Sequence, residues 1–524
     1  MNIKQTIKNL IHKTLVSLYP ELVNFEIETD YPKNDKFGDY TTNIAMSLAK
    51  KLSNSPQQIA EQIAKHLKAE KDIFKEVQVV KPGFINFYLA DNYLTNQLSQ
   101  IIKKTNKFYK SKVGGGKKIQ IEFISANPTG PLTVGNARGG YLGDVLGNVF
   151  SACGYKVTKE YLINDAGAQI ESLGHSVLKD DRQTYQGEYI DKLNKKIKTS
   201  DPYGAGQQAA KIILNDYIKK VIEEKMKIKF DVWFSEQKEI RSKKKIDEIV
   251  SWLKKKNLIY EQGGAWWFCS SKYGDDKDRV VIKSDGQPTY LAQDFAYHKN
   301  KLERGFKKII NIWGADHHGD INRLMAAFEV LGHQGKLEII LTQFIRLIKD
   351  GKEVRMSKRA GNLVYIDDLI NEAGIDATRF YFLKYSADSH IDFDLNLAKE
   401  KSNKNPVYYV QYAYARICNI LKQKEISGLI KTNELHFSNI HELNLIKELI
   451  KLPDILMSTS QNYQTQNLTT YAISLADKFH QFYTNCRVIN NGMVNSSRVA
   501  LIKATKLTLK NLFEILGISA PEKM

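Results

Sequence analysis

Ser125-Ala126-Asn127-Pro128-Thr129-Gly130-Pro131-Leu132-Thr133-Val134-Gly135-Asn136-Ala137-Arg138-Gly139-Gly140 lies between two regular patterns. Before it, Lys118-Ile119-Gln120-Ile121-Glu122-Phe123-Ile124 alternates polar and apolar residues, the period of a strand. After it, Tyr141, Leu142, Val145, Leu146 and Val149 follow the period of a long helix. A strand, a Pro/Gly-rich loop and a helix N-terminus together form an anion site. The first helical amides lack intrahelical partners, and the helix dipole favours negative charge there.

Outward from this unit, residues 117 to about 368 alternate strand-like and helix-like segments, with apolar strands expected at 157–163, 279–283, 308–313 and 337–342. That alternation is the signature of an α/β, doubly wound parallel-sheet (Rossmann-like) domain. A lysine-heavy block at about 171–256 reads as a helical insertion. Its basic runs, such as Lys243-Lys244-Lys245, suit a solvated helix face, with RNA contact as the alternative. Residues 1–110 read as an α+β module, with helical periodicity at 3–18 and 41–67 and strands near 77–80 and 83–89. Val113-Gly114-Gly115-Gly116-Lys117 reads as a flexible joint, since no Ser or Thr follows the lysine to complete a phosphate loop. The division expected is 1–110, 111–373 and 374–524, the last all-helical.

The 524 residues exceed one core and imply roughly three or four domains. No apolar run approaches the roughly 20 residues that span a bilayer, and residues 1–5 open an amphipathic helix, so a cytoplasmic protein without membrane contact is expected. The formal charge of +19 fits either a lysine-rich background composition or a polyanionic partner, and charge alone does not choose. Four cysteines without paired spacing argue against a disulfide framework and a zinc knuckle. His317-His318 beside Asp316 and Asp320 lacks a completing ligand set, so no protein-bound metal is expected.

Gly135, Gly139, Gly143 and Gly147 recur every fourth residue on one helix face. Each costs helix stability of about 1 kcal/mol against alanine. Tight helix-on-sheet packing is the reading for Gly143 and Gly147, and close approach of a nucleotide for Gly135.

The Ser125–Gly140 loop resembles the "HIGH" signature of class I aminoacyl-tRNA synthetases in its arginyl form, with Thr133 and Asn136 where the two histidines would stand. Glu353-Val354-Arg355-Met356-Ser357-Lys358-Arg359-Ala360-Gly361-Asn362 resembles the "KMSKS" loop, with Lys358 at the second lysine position and Arg355 at the first. Adenylyl transfer develops negative charge on the leaving pyrophosphate, which fixed cations stabilise. Phe37–Asn43, Lys81–Asn86, Tyr161–Gly167, Asp278–Val281, Pro288–Asp294, Trp313–His318, Asp376–Phe380, Val410–Arg416 and Ala520–Met524 extend the resemblance across nearly the whole chain.

The resemblance implies an arginyl-tRNA synthetase that activates L-arginine with ATP, carried as its Mg²⁺ complex, and transfers the arginyl group to tRNA(Arg). It implies no covalent enzyme intermediate and a first step that needs bound tRNA; a monomer is expected. Lys358, Arg355, Thr133 and Asn136 would take the catalytic roles. Gly135, Arg138, Met356, Ser357, Arg359, Asp316 and His317 would contact ATP. Glu122, Ser125 and Asn127 would hold arginine's polar groups, and Tyr290 and Asp294 its guanidinium, a planar cation best held by carboxylates. Tyr409 and Arg416, on one helix stripe with Tyr412, suit stacking on unpaired tRNA bases, although such stripes also build cores. The loss of both signature histidines admits a non-catalytic tRNA-binding paralogue as the rival. The retained set of Lys358, Glu122, Asn127, Tyr290 and Asp294 speaks against it.

Overall fold

A computed structural model describes residues 2–354, 365–423, 426 and 435–524. The N-terminal region pairs β1 (Tyr40–Thr42) and β2 (Phe74–Val80) with β3 (Phe84–Leu89), all antiparallel, in the order β1-β3-β2. The single helical pattern expected at 41–67 is two helices, Ile44–Leu52 and Pro56–Leu67. Ser53 turns left-handed at φ +48° and Ser55 caps the second helix ahead of its N1 proline, which stops the first from continuing.

Five parallel strands form the central sheet: β4 (Lys118–Glu122), β5 (Lys156–Ile163), β6 (Val232–Ser235), β10 (Lys308–Gly314) and β11 (Leu337–Thr342), in the order β11-β10-β4-β5-β6. The chain winds from β4 to one side through β5 and β6, then crosses to β10 on the other. The carboxyl ends of β4 and β10 therefore flank the topological switch point, where doubly wound folds bind ligands.

Two strand expectations are corrected. Arg279–Ile282 is β9 of a separate antiparallel sheet with β7 (Ile259–Gln262) and β8 (Ala265–Phe268), outside the parallel sheet. The block at 171–256 is not wholly a helical insertion, because it contains β6, the edge of the main sheet. Four residues flanked by lysine-rich helices give too little periodicity to show themselves. The joint at 113–117 is not free either: the Gly114 and Gly116 amides donate to the carbonyls of Cys153 and Gly154.

The helix Val134–Ala152 packs its glycine face onto the sheet. A Cβ at Gly143 would collide with the Phe123 ring, and one at Gly147 with the Lys159 side chain. At Gly135 the nearest atom is Thr133 Oγ1 at 3.7 Å, so the first turn stays open. Gly143→Ala is expected to cost about 1–3 kcal/mol by overpacking, measurable by urea unfolding, despite alanine's better helix propensity.

The C-terminal region is built mainly of helices, among them Pro406–Leu421, Ile440–Leu449, Leu452–Asn462, Gln466–Asn485 and Ser496–Leu516. Before them, β12 (Ile345–Lys349) pairs antiparallel with β13 (Lys352–Val354) and parallel with β14 (Ile391–Asp394). Sheet contacts of the middle region thus run past residue 374. The wholly buried Arg379 joins the regions: it donates to the Leu516 carbonyl and to Asp144 of the signature helix. Asn148 Nδ2 donates to the Ile515 carbonyl at 3.0 Å. The terminal helix is therefore seated directly on the helix that follows the loop.

Candidate active site

At the end of β4 the backbone turns through two consecutive left-handed residues, Ile124 at φ +66° and Ser125 at φ +39°. For a β-branched residue this is a strained conformation of the kind that clusters at functional sites. The turn throws the loop across the carboxyl edge of the sheet. Ser125 Oγ accepts from the Leu162 amide and donates to Glu122 Oε1, both at 3.1 Å, which locks the turn to β5 and to the end of its own strand. Asn127 Oδ1 accepts from Asn164 Nδ2 at 2.8 Å, leaving the Asn127 NH₂ group to point elsewhere.

Where the family signature has histidines, this chain forms a closed pair. The Thr133 amide and hydroxyl both donate to Asn136 Oδ1, at 2.9 and 3.0 Å. The pair caps the helix start and uses the Thr133 proton internally. Among the described residues no acceptor takes the Asn136 NH₂ group, so Asn136 is the member free to donate outward. Thr133 also bridges Tyr365, and the Ile366 amide donates to the Leu132 carbonyl. The segment carrying Arg355, Met356, Ser357, Lys358 and Arg359 lies outside the described residues, but its downstream flank is fastened to the signature loop.

Arg138 is a correction. Its guanidinium is buried and donates to four backbone carbonyls, of Gln343, Phe344, Ser386 and Ser389. Burial pushes its pKa down to about 10. The resemblance places Arg138 against ATP; its side chain instead ties the segment after β11 to the one before β14.

Across the switch point, Asp316 and His317 sit on the 3-10 turn Ala315–Asp320 that follows β10. His317 Nδ1 lies 3.3 Å from Asp320, and Asp320 in turn pairs with Arg323 at 3.0 Å. Both Asp316 and His317 are exposed, so they border the cleft without being buried in it.

The helix Tyr290–Glu303 forms the far wall. Tyr290 is 62% exposed at its first turn, and Asp294 follows one turn later. Burial pushes the Asp294 carboxyl up to about 7; Arg323 opposes the shift, while Glu122, Asp320 and Glu236 reinforce it. Among the described residues no donor hydrogen-bonds to this carboxylate. A half-buried carboxylate with only the Arg323 charge near it, and no donor among the described residues, is costly to keep ionised unless a ligand adds a cation.

Glu122 is buried and is not alone. Lys301 Nζ stands 2.5 Å from Glu122 Oε2 and 2.9 Å from Asn311 Oδ1, and is itself wholly buried. Asn311 and Glu122 are register partners on β10 and β4. Asn311 Nδ2 donates to His298 Nε2, whose Nδ1 reaches the Asp294 carbonyl at 2.8 Å; burial and Lys301 hold that imidazole neutral, well below its usual pKa. Asp294, His298 and Lys301 are spaced i, i+4, i+7, one helix face turned to the sheet. Sequence reasoning found the first and missed the other two, although this spacing carried the signal.

In the C-terminal region Tyr409 donates to Asp477 at 2.6 Å and packs on His480. Arg416 lies between the Tyr412 and Tyr483 rings, 4.6 and 4.8 Å from their centroids, and donates to the Tyr412 hydroxyl. These rings open onto a cavity of about 250 Å³ that also touches Asn419, Gln423 and Met524. The stripe is thus divided: Tyr409 is tied into the bundle, whereas Arg416 is presented between aromatic faces.

Three family models match the chain in order. The arginyl tRNA synthetase N terminal domain matches residues 1–89, tRNA synthetases class I (R), catalytic domain, matches 97–195 and 183–384, and the DALR anticodon binding domain matches 410–524. The arginine–tRNA ligase of Bacillus subtilis (strain 168) is 41% identical over 551 residues, covering 100% of this chain and 98% of that protein. That of Anoxybacillus flavithermus is 42% identical with the same coverage. In fold, the chain matches the arginyl-tRNA synthetases of Plasmodium falciparum (TM-score 0.81, 20% identity, 100% of both chains) and Thermus thermophilus (TM-score 0.77, 20% identity, 99% of this chain and 100% of that one). Among the described residues no helix is long and apolar enough to cross a membrane.

Proposed function

The chain belongs to the arginyl-tRNA synthetase family of class I, and we propose on that premise how its cleft performs the reaction. It is an ATP-dependent arginine–tRNA ligase. Arginine's carboxylate attacks the α-phosphorus of ATP, pyrophosphate leaves, and the terminal adenosine hydroxyl of tRNA(Arg) then takes the arginyl group and releases AMP. No side chain acts as nucleophile; rate comes from positioning and charge stabilisation.

The observation that carries the assignment of the arginine subsite is the half-buried Asp294 carboxylate, to which no donor among the described residues hydrogen-bonds. A guanidinium supplies a further cation and the two parallel N–H donors the carboxylate lacks, with Tyr290 beside it. Glu122, an acceptor-only carboxylate, takes the α-ammonium, and the Asn127 NH₂ group, which no acceptor among the described residues takes, donates to the substrate carboxylate. ATP enters as its Mg²⁺ complex, held mostly by its own phosphates. The open first turn at Gly135, the Asn136 NH₂ group and the helix amides face the phosphates, and Arg355, Lys358 and Arg359 add charge, with Met356, Ser357, Asp316 and His317 around the nucleotide. Arg416 and its tyrosines offer a stacking site for an unpaired base of the tRNA. The site requires bound tRNA for activation, and the enzyme works as a cytoplasmic monomer.

Charging tests the reading: tRNA(Arg) transcript should accept labelled arginine in an ATP-dependent reaction and should not accept lysine. Charging with lysine at a comparable rate would refute the arginine assignment; no charging at all would favour the non-catalytic paralogue.

A pH dependence follows from Asp294. Arginine binds the ionised carboxylate, so protonation competes with it. Below pH about 7, kcat/KM for arginine should fall about tenfold per pH unit, while kcat falls only at lower pH because the bound guanidinium holds the carboxylate ionised. Steady-state kinetics between pH 5.5 and 8.5 checks this, with Asp294→Asn expected to erase the limb.

A further inference from the structure

Lys301 carries no function in the reading above, yet its placement is unusual. A lysine is almost never fully buried unless paired, and this one has no exposed surface. Its ammonium meets Glu122 Oε2 at 2.5 Å and Asn311 Oδ1 at 2.9 Å, and lies 4.4 Å from the centroid of the Tyr297 ring. The partner is not a spare carboxylate of the core but the one assigned to the substrate's α-ammonium. The nearby Glu160 carboxylate takes its hydrogen bonds from Arg304 and the Tyr297 hydroxyl and feels the Lys301 charge only through space, so the direct ion pair of Lys301 is with Glu122.

We propose that Lys301 is a positioning and specificity-determining residue for arginine recognition: it holds one Glu122 oxygen inward, so that the other, set by Ser125, faces the α-ammonium. The inference rests on the reading of Glu122 as the ammonium acceptor. Two consequences follow from charge. Glu122 and Lys301 form a near-neutral pair before substrate arrives, so the subsite does not present a second free negative charge to compete for the guanidinium. Asp294 then remains the carboxylate of this subsite without a hydrogen-bond donor among the described residues, and arginine is accepted in one orientation, guanidinium to Asp294 and ammonium to Glu122. Without Lys301, Glu122 is a buried carboxylate with no cation. The oxygen that Lys301 held inward then has no partner, the carboxylate turns from its set orientation, and the ammonium loses its acceptor.

The test compares Kd for arginine with that for 5-guanidinovalerate, which lacks only the α-amino group, using the full-length protein with tRNA present. Agmatine, which keeps the amine and lacks the carboxylate, is the control. In the wild type arginine should bind about 10- to 100-fold tighter than 5-guanidinovalerate, the size of a charge-assisted hydrogen bond. Glu122→Gln should bring that ratio to within about threefold of one; if it does not, the Glu122 assignment fails. Given that collapse, Lys301→Met should produce the same one, while the arginine-to-agmatine ratio stays within about threefold of wild type. A Lys301→Met ratio that stays at its wild-type value, or rises, overturns the proposal while leaving the Glu122 assignment intact. So does equal weakening of all three ligands, the signature of a purely structural plug. Should Lys301→Met fail to fold, Lys301→Gln keeps a donor for Glu122 without the charge. Its ratio should fall at least threefold below wild type, and an unchanged ratio there also overturns the proposal.

Discussion

Asp294→Asn is expected to lower kcat/KM for arginine by about a thousandfold and, in the same protein, to raise thermal stability at pH 8. The first effect follows from removing one partner of a desolvated ion pair, which costs roughly 3–5 kcal/mol. The second follows from the unliganded state. The Asp294 pKa is raised from 3.8 to about 7, so the folded protein holds that carboxyl less comfortably as an anion than the unfolded chain does. A carboxyl raised in this way costs stability above its folded pKa, and the cost vanishes below the unfolded one. The neutral amide removes a penalty of roughly 2–4 kcal/mol at pH 8 and almost none near pH 4. Kinetics with thermal melts at both pH values checks the pair of effects. A variant that loses activity and also melts lower at pH 8 would show that Asp294 supports the fold and is not reserved for a ligand.

Lys358→Ala is expected to slow arginine-dependent pyrophosphate exchange by about 10²–10³, the range seen when one oriented group is withdrawn from developing charge. Thr133→Ala should cost less than about tenfold, the lower end of what one neutral hydrogen bond contributes. The local geometry sets this order. The Thr133 hydroxyl proton is given to Asn136, and neither residue carries charge. Arg138, the nearest fixed cation along the helix, is engaged with four carbonyls. On the proposed reading, side-chain charge for the leaving pyrophosphate is expected from the segment bearing Arg355, Lys358 and Arg359, whose flank at Tyr365 is stitched to Thr133. A larger loss in Thr133→Ala than in Lys358→Ala would refute this division. Asn136→Ala should fall between the two, because its NH₂ group is the free donor of the pair.

The central unit was legible in the sequence because each of its parts has a local cause. The alternation of β4, the Pro/Gly-rich loop and the helical period after it are set by neighbours a few residues apart. Gly143 and Gly147 were rightly read as packing positions, since a glycine inside a helix needs a reason and the Phe123 and Lys159 side chains supply it. What was not legible depends on residues far apart in the chain. Lys301 reads as one more lysine on an amphipathic helix until β4 brings Glu122 to it, 179 residues away in sequence. Arg138 is placed at ATP by the resemblance until the segments after β11 and before β14 fold over it. The left-handed turn at Ile124 and Ser125 contains no glycine to announce it, and β6 is too short for its pattern to stand out from the helices around it. Locally determined structure could be read directly; tertiary pairing of charges could not.

The most direct test of the account is arginine-dependent ATP–pyrophosphate exchange by the wild-type chain, with and without tRNA(Arg). The account predicts exchange with arginine when tRNA is present, little without it, and none with lysine or with citrulline, which keeps arginine's shape but lacks the positive charge that Asp294 requires. Exchange with citrulline at a rate near that of arginine would contradict selection by Asp294, and no exchange under either condition would contradict catalysis itself.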